Sequence, residues 1–340
     1  MNSVAAQWSG MFKVFTEDDG TQRFSRLDPA GYMPPSTDAL ANRAAMAAGV
    51  RAGWRSSGGT LTIAGEGAPD CAPYDVLVNG ERAHRLPAAG RHRHELVLAD
   101  LDPGSLIQLW LPHFGDFRLE TAELSGPDVA AAEEEGPRWL TYGSSITHCQ
   151  QADGPTQTWP ALVARREGWR LSNLGLAGEC QLDPAAANTI AQTPAELISL
   201  CVGINSYNAA TYSERTWAGA LQGFLGTVRR AHPEVPIAVI TPVLSLPRED
   251  KPNAVGWTLA DYRRATAEAV EVLRAKGDTH LHLVDGAAVL TAQEALERLP
   301  DTLHPDTAGY AIMAERLAPV LAGILSSPVN SSPVLSSTAN

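Results

Sequence analysis

The chain has 340 residues, of which 44% are hydrophobic and 19% are charged, a composition that excludes wholesale disorder and supplies a large core. The formal net charge is −12, and this excess of acidic groups disfavours nucleic acid as a partner because phosphate would be repelled. The four cysteines contain no Cys-x-x-Cys pair, so the sequence predicts neither a zinc ribbon nor a disulfide framework.

The amino terminus has no basic start followed by an apolar run, a pattern that predicts no signal peptide. We find no run of about 18 apolar residues, the length that a membrane-spanning helix needs. The expectation is therefore a cytoplasmic protein without a membrane partner.

The first part of the chain contains short segments in which polar and apolar residues alternate, separated by turn pairs such as Asn79-Gly80. The predicted strands are Thr60–Ile63, Tyr74–Val78, Glu95–Leu98, Leu106–Trp110 and Phe117–Thr121. The Ala-rich stretch 37–51 is predicted as a helix. Regular short strands of this kind favour an antiparallel, jelly-roll-like β-sandwich over residues 1–135.

The pattern changes after residues 126–137, which are interpreted as a linker. Beyond it, continuous apolar strands alternate with helices, and this order predicts a parallel sheet covered on both faces. The predicted strands are 139–142, 169–174, 197–202, 237–240 and 281–284, and the predicted helices are 157–167, 185–192, 214–231, 259–275 and 306–325. This second domain is assigned to residues 136–325. The Ser/Pro/Asn-rich segment 326–340 is predicted to be a disordered tail.

Chemistry in parallel α/β sheets gathers at the carboxyl ends of the strands. The first predicted strand ends in Gly143-Ser144-Ser145, where a sharp turn can present the Ser145 hydroxyl to a crevice. Taken alone, the same residues are more often an ordinary turn than a nucleophile.

A second feature is Asp301-x-x-His304, which precedes the last predicted helix. Residues three apart in a helical turn face each other, so Asp301 can accept the Nδ1 proton of His304 and leave Nε2 free as a base. A capping aspartate beside a surface histidine is the alternative interpretation.

Two further strand ends carry candidate hydrogen-bond donors. Gly178 follows the second strand and Asn205 follows the third. Together with the Ser145 N–H, the Gly178 N–H and the Asn205 amide are predicted to stabilise an oxyanion above the sheet. Taken singly, each position is also typical of a turn.

The four features occur in the order Ser145, Gly178, Asn205, His304, and this set resembles the SGNH (GDSL-type) hydrolase family, whose blocks are named for these residue types. The resemblance covers about residues 138–325. It implies a flavodoxin-like three-layer α/β/α fold, with Asp301 as the carboxylate of the catalytic triad.

Two positions depart from the family pattern. Ser144 replaces the aspartate of Gly-Asp-Ser-Leu, and Ser206 replaces the last aspartate of Gly-x-Asn-Asp. Neither change removes a catalytic group. The departures therefore leave the identity of the substrate undetermined, whereas the residues needed for the chemistry are all present. The version found here, preceded by a β-sandwich, is similar to carbohydrate deacetylases and to enzymes that acylate natural products.

The resemblance implies an enzyme that forms an acyl-enzyme on a serine and needs no metal or organic cofactor. The first hypothesis is an esterase acting on O-acyl groups of a small polar or glycosylated compound. An acyltransferase using the same residues and a non-catalytic glycan-binding protein are the alternatives. His148, Glu179 and Arg248 are additional candidates for substrate contact, and a polar surface position is the alternative for His148.

Overall fold

A computed structural model describes residues 2–31 and 38–327. The start of the predicted helix 37–51 and most of the predicted tail lie outside these ranges. The described part of that helix is α1 (Asp38–Ala45). The helix prediction is wrong for residues 46–51, and a strand begins at Arg51. Ser326, the first residue of the predicted tail, is still helical.

The amino-terminal part folds into two antiparallel sheets that form a sandwich, as predicted. Sheet A has the order β3-β4-β11-β6-β9 with β1 paired to β11, and sheet B has the order β12-β5-β10-β7-β8 with β2 paired to β5. The strands are β1 (Asn2–Ala5), β2 (Trp8–Ser9), β3 (Lys13–Thr16), β4 (Gln22–Ser25), β5 (Arg51–Ser56), β6 (Gly59–Gly67), β7 (Tyr74–Val78), β8 (Glu81–Leu86), β9 (Gly90–Leu98), β10 (Ser105–Trp110), β11 (Phe117–Gly126) and β12 (Ala130–Ala131). Alternate residues of the central strands, such as Leu61, Ile63 and Ile107, are buried between the sheets.

The segment predicted as a linker is part of the sandwich. Its residues Ala130 and Ala131 form β12, which pairs with β5 in sheet B. The linker is therefore fixed to the sandwich, and the domain boundary between residues 135 and 136 stays a prediction.

The second part contains a parallel sheet of five strands in the order β14-β13-β15-β16-β17. These strands are β13 (Arg138–Gly143), β14 (Arg170–Gly175), β15 (Leu197–Cys201), β16 (Ile237–Ile240) and β17 (Leu281–Val284). Numbered within this sheet the order is 2-1-3-4-5, which is the flavodoxin-like order. The predicted fold class is confirmed.

Helices cover the parallel sheet on both faces. One group consists of α3 packed on α10, and the other consists of α4, α6 and α8 packed in a row. The helices after α1 are α2 (Ser145–His148), α3 (Trp159–Glu167), α4 (Pro184–Gln192), α5 (Ile204–Ala209), α6 (Glu214–Ala231), α7 (Leu246–Glu249), α8 (Leu259–Ala275), α9 (Ala292–Arg298) and α10 (Thr307–Ser326). Short 3-10 turns lie at Pro29–Gly31, Pro155–Gln157 and Gly286–Ala288.

Helix α10 is the one helix of the described residues that is long and apolar enough to cross a membrane by length and composition. One face of it is buried in the protein through residues such as Tyr310, Met313 and Leu317. Burial against α3 is what a core helix of an α/β fold requires, so its composition is weak evidence for a membrane span.

The sandwich and the α/β part are in direct contact. Asp75 of β7 is fully buried and accepts hydrogen bonds from Arg85 Nε at 2.7 Å and from Thr156 Oγ1 at 2.6 Å. Because Thr156 lies just before α3, this buried network connects sheet B to the start of α3.

Candidate active site

Ser145 is the first residue of α2, immediately after β13. The turn between them requires glycine at position 143, because an added Cβ there would lie 2.8 Å from Thr147 Cβ and 3.0 Å from the Cys201 carbonyl oxygen. Ser144 caps α2 by accepting a hydrogen bond from the Ile146 N–H at 3.2 Å. The Ser145 side chain is thus held at the carboxyl edge of the sheet, with 5% of its surface exposed.

His304 lies within hydrogen-bond distance of both Ser145 and Asp301. The separation is 2.7 Å between His304 Nε2 and Ser145 Oγ, and 2.6 Å between His304 Nδ1 and Asp301 Oδ2. An ionised carboxylate can only accept, so Nδ1 carries the proton and Nε2 accepts from the serine hydroxyl. The sequence-predicted Ser145, His304 and Asp301 therefore come together in the arrangement in which a serine is activated by a base.

The turn that carries His304 is organised by Asp301 itself. Asp301 Oδ1 accepts the backbone N–H groups of Leu303 at 3.0 Å and His304 at 2.7 Å. Partial burial raises the pKa of Asp301, but these bonds and the one from the imidazole lower it more, and the net pKa is below the ordinary value. The carboxylate therefore stays ionised and able to stabilise an imidazolium.

The strand order places the predicted oxyanion donors on either side of Ser145. Gly178 follows β14 and Asn205 lies in α5 after β15, and both strands flank β13. The Asn205 Oδ1 atom accepts the Cys180 N–H at 3.1 Å, so its amide Nδ2 is the end left to donate. Gly178 adopts a φ of +82°, and its N–H donates to no other group among the described residues. Two N–H donors near the serine are thus available to a ligand.

His148 is not at the surface. The side chain is fully buried, with Nε2 donating to the His113 carbonyl at 2.8 Å and Nδ1 accepting from the Ala177 N–H at 3.4 Å. Burial holds its pKa well below the ordinary value, so the ring is neutral. The surface interpretation is wrong, and no part of the ring is exposed for substrate contact.

Glu179 is half-buried beside Gly178, where burial and the charge of Asp183 raise its pKa. Its predicted role in substrate contact stays a prediction. Arg248 instead bonds to the protein, donating through Nη1 to the Thr302 carbonyl at 3.2 Å and through Nε to Asn208 Oδ1 at 3.3 Å. These bonds place Arg248 beside the turn that carries His304.

The sequence did not reveal Ser245, a buried residue whose Oγ donates to the Thr302 carbonyl at 2.9 Å. Thr302 has a φ of +65°, a conformation that is unfavourable for a residue with a branched side chain. Ser245 helps to hold this conformation. The available signal was its place in the irregular segment 244–257 after β16, which contains the short helix α7.

A sandwich domain can bind a glycan through exposed aromatic side chains, and Trp54, Tyr74 and Trp110 are large aromatic residues of this sandwich. All three are buried, with at most 2% of their surface exposed. They are core residues and form no exposed aromatic platform for a glycan. A cavity of about 690 Å³ between sheet B and α3 lies apart from Ser145 and does not contain it.

The fold and the site define a class of protein. A sequence model of the GDSL-like lipase/acylhydrolase family matches residues 141–312, and the chain belongs to this family. It is an enzyme of the ester-hydrolase or acyltransferase type.

Among solved structures, the chain is similar to a salicylyl-acyltransferase, SsfX3, from a tetracycline biosynthetic pathway, with 30% identity over 97% of this chain and 99% of that one and a TM-score of 0.84. It is also similar to a putative GDSL-like lipase from Bacteroides ovatus (22% identity, 95% and 98% covered, TM-score 0.75). A family two carbohydrate esterase from Cellvibrio japonicus shares the fold (15% identity, 95% and 98% covered, TM-score 0.61). No curated protein sequence matches the chain.

Proposed function

We propose that the protein is a serine esterase that cleaves O-acyl esters of a small polar or glycosylated compound. The observation that carries the proposal is the continuous hydrogen-bonded series from Ser145 through His304 to Asp301, with separations of 2.7 and 2.6 Å. Membership of a family of acylhydrolases supports the same chemistry.

The proposed mechanism assigns one role to each group. His304 Nε2 takes the Ser145 proton as Oγ attacks the ester carbonyl, and the carbonyl π electrons move onto oxygen. The N–H groups of Ser145 and Gly178 and the Asn205 amide stabilise that oxyanion. The imidazolium, stabilised by Asp301, then protonates the departing alcohol, which leaves an acyl group on Ser145. Water attacks the acyl-enzyme in a second, equivalent cycle and releases the acid.

A second candidate is acyl transfer to a natural-product hydroxyl. The observation that favours it is the similarity to the salicylyl-acyltransferase, which extends over nearly the whole of both chains, the sandwich included. The same triad serves both reactions, and the difference is whether an alcohol or water reaches the acyl-enzyme. A non-catalytic glycan-binding role has less support, because the triad is complete and Trp54, Tyr74 and Trp110 are buried.

Mass spectrometry of the intact protein during turnover of p-nitrophenyl acetate tests the proposal. We expect a mass increase of one acetyl group, located on Ser145, and faster turnover of acetyl than of octanoyl esters. Adding a panel of polyhydroxylated or aromatic alcohols separates the two candidates. Acylated acceptor formed at the expense of free acid indicates a transferase, and unchanged release of acid indicates an esterase. Absence of any covalent intermediate and of ester turnover would overturn both.

A further inference from the structure

Strand β14 lies at the edge of the parallel sheet, so every second carbonyl faces away from its neighbour β13. These carbonyls are bound by arginines from the amino-terminal part of the chain. Arg51 donates to the Leu171 carbonyl at 2.9 Å, and Arg26 donates through Nη1 to those of Asn173 and Gly175 at 2.6 and 2.8 Å. Guanidinium groups therefore occupy the positions where a sixth strand would donate its N–H groups.

The series continues one step past the strand, into the loop that carries Gly178. Arg43 of α1 donates through Nε to the Ala177 carbonyl at 3.1 Å. The Ala177 N–H is held separately, by His148 Nδ1 at 3.4 Å. Both polar groups of Ala177 thus have partners outside the loop.

The bond to Ala177 bears directly on the proposed oxyanion donor. The carbonyl of Ala177 and the N–H of Gly178 belong to the same planar peptide unit and point in opposite directions. A guanidinium fixed on that oxygen therefore sets the direction of the Gly178 N–H. It also polarises the peptide, which makes the N–H a stronger donor.

Arg43 is itself held in place by Arg26. Arg26 is fully buried, with 1% of its surface exposed, and it also donates to the carbonyls of Met46 and Arg43. Arg43 packs over the Phe114 ring at 5.2 Å, a contact that restrains its guanidinium. The backbone and the side chain of Arg43 are thus both fixed relative to β14.

We propose that Arg43, supported by Arg26, is a positioning residue that orients the Gly178 N–H toward the oxyanion. The inference rests on the proposed function, because it needs Gly178 to serve as an oxyanion donor. It gives the sandwich part of the chain a defined contribution to catalysis, made through the peptide unit of residues 177 and 178.

The test compares three variants with the intact protein, using p-nitrophenyl acetate. Arg43→Met removes the guanidinium from a partly exposed position, so the fold is expected to survive, whereas the buried Arg26 is less suitable for substitution. We expect Arg43→Met to lower kcat about tenfold with KM nearly unchanged. This decrease in kcat is smaller than the decrease expected when a whole donor is lost, because the Gly178 N–H is misdirected and not removed. Arg43→Lys keeps a donor and should recover part of the loss. Arg55→Met is the matched control, because it also loses a guanidinium–carbonyl bond, to Gly104, away from β14.

A trifluoromethyl ketone provides a second measurement, since it forms a tetrahedral oxyanion on an active serine. Its affinity should fall in Arg43→Met in proportion to kcat, while thermal unfolding stays close to that of Arg55→Met. Unchanged kcat in folded Arg43→Met, or reduced kcat with unchanged affinity for the ketone, would overturn the inference. Full activity of Ser145→Ala would instead overturn the proposed function.

Discussion

The turn at residues 301–304 and the loop at residues 175–178 come from opposite ends of the strand order, and they are stabilised in different ways. In the turn, the bonds that shape it run from Asp301 to residues two and three positions later. In the loop, the stabilising groups Arg26 and Arg43 lie more than 130 positions earlier in the chain. The contact between Asp301 and His304 is thus made within the turn, which Ser245 and Arg248 only support at the Thr302 carbonyl. The loop depends on a distant segment for the bonds to its carbonyls.

This difference explains which parts of the site could be predicted. The spacing of Asp301 and His304 contains the information for their contact, because the carboxylate reaches a residue three positions on. Nothing in the sequence around Gly178 indicates that arginines of the sandwich bind the adjoining carbonyls. His148 was misjudged for the same reason, since its burial depends on His113 and Ala177, which only the tertiary fold brings close.

The largest expected effect is that of Ser145→Ala. Its kcat is the reference for substitutions that affect the 301–304 turn and the 175–178 loop. Removing the proposed nucleophile should lower kcat for ester hydrolysis about 10⁴-fold or more while the fold survives. Initial rates with p-nitrophenyl acetate measure the loss of kcat, and the circular dichroism spectrum measures whether the fold survives. A fluorophosphonate should label the unsubstituted protein and not the variant, and activity within tenfold of the original would remove Ser145 from the mechanism.

Substitutions within the 301–304 turn come next. His304→Ala should abolish most of kcat, and Asp301→Asn should cost roughly 10 to 100 times less, because an amide still positions the ring but cannot stabilise imidazolium. Pre-steady-state kinetics of p-nitrophenol release compares the His304→Ala and Asp301→Asn variants. If His304→Ala retained most of its kcat, another base would have to be found.

Asn205→Ala tests the oxyanion site on the side opposite Gly178. Loss of one donor should lower kcat about 10²–10³-fold with a smaller change in KM. Measured beside Arg43→Met, it compares a removed donor with a misdirected one. Equal effects of the two variants would mean that Arg43 does more than orient a peptide, and no effect of Asn205→Ala would exclude it as a donor.

The smallest effect concerns stability and pH. The pKa of Asp301 is lowered in the folded protein, so its ionised form contributes stability above the ordinary value of 3.8, and this contribution is lost as pH falls through the lowered value. The difference in melting temperature between the original protein and Asp301→Asn should therefore narrow below pH 4. Thermal unfolding of both proteins from pH 7 to pH 3 measures this difference in melting temperature. A difference that stayed constant would contradict a lowered pKa of Asp301.

Two long amphipathic helices and two short buried strands of the α/β part were predicted closely. The predictions for α6, α8, β16 and β17 match the observed bounds, because Ser213 and Thr258 begin capping boxes at the two helices and the two strands consist mainly of buried apolar residues. Elements with a less apolar sequence were missed, among them β8, which is largely exposed and lacks alternation, and the six-residue α5. Such elements form because neighbouring elements pair with them, and these tertiary contacts cannot be predicted from the local sequence.

The arginines along β14 have a consequence for the behaviour of the molecule in a crowded solution. An uncovered edge strand offers a row of carbonyls to which a strand of another molecule can add, and this is a route to aggregation. Here the carbonyls of Leu171, Asn173 and Gly175 are already occupied by positively charged side chains. An approaching strand would have to displace buried guanidinium groups and leave them without partners, which is costly. The same bonds that connect the two parts of one chain therefore keep separate chains from joining at this edge.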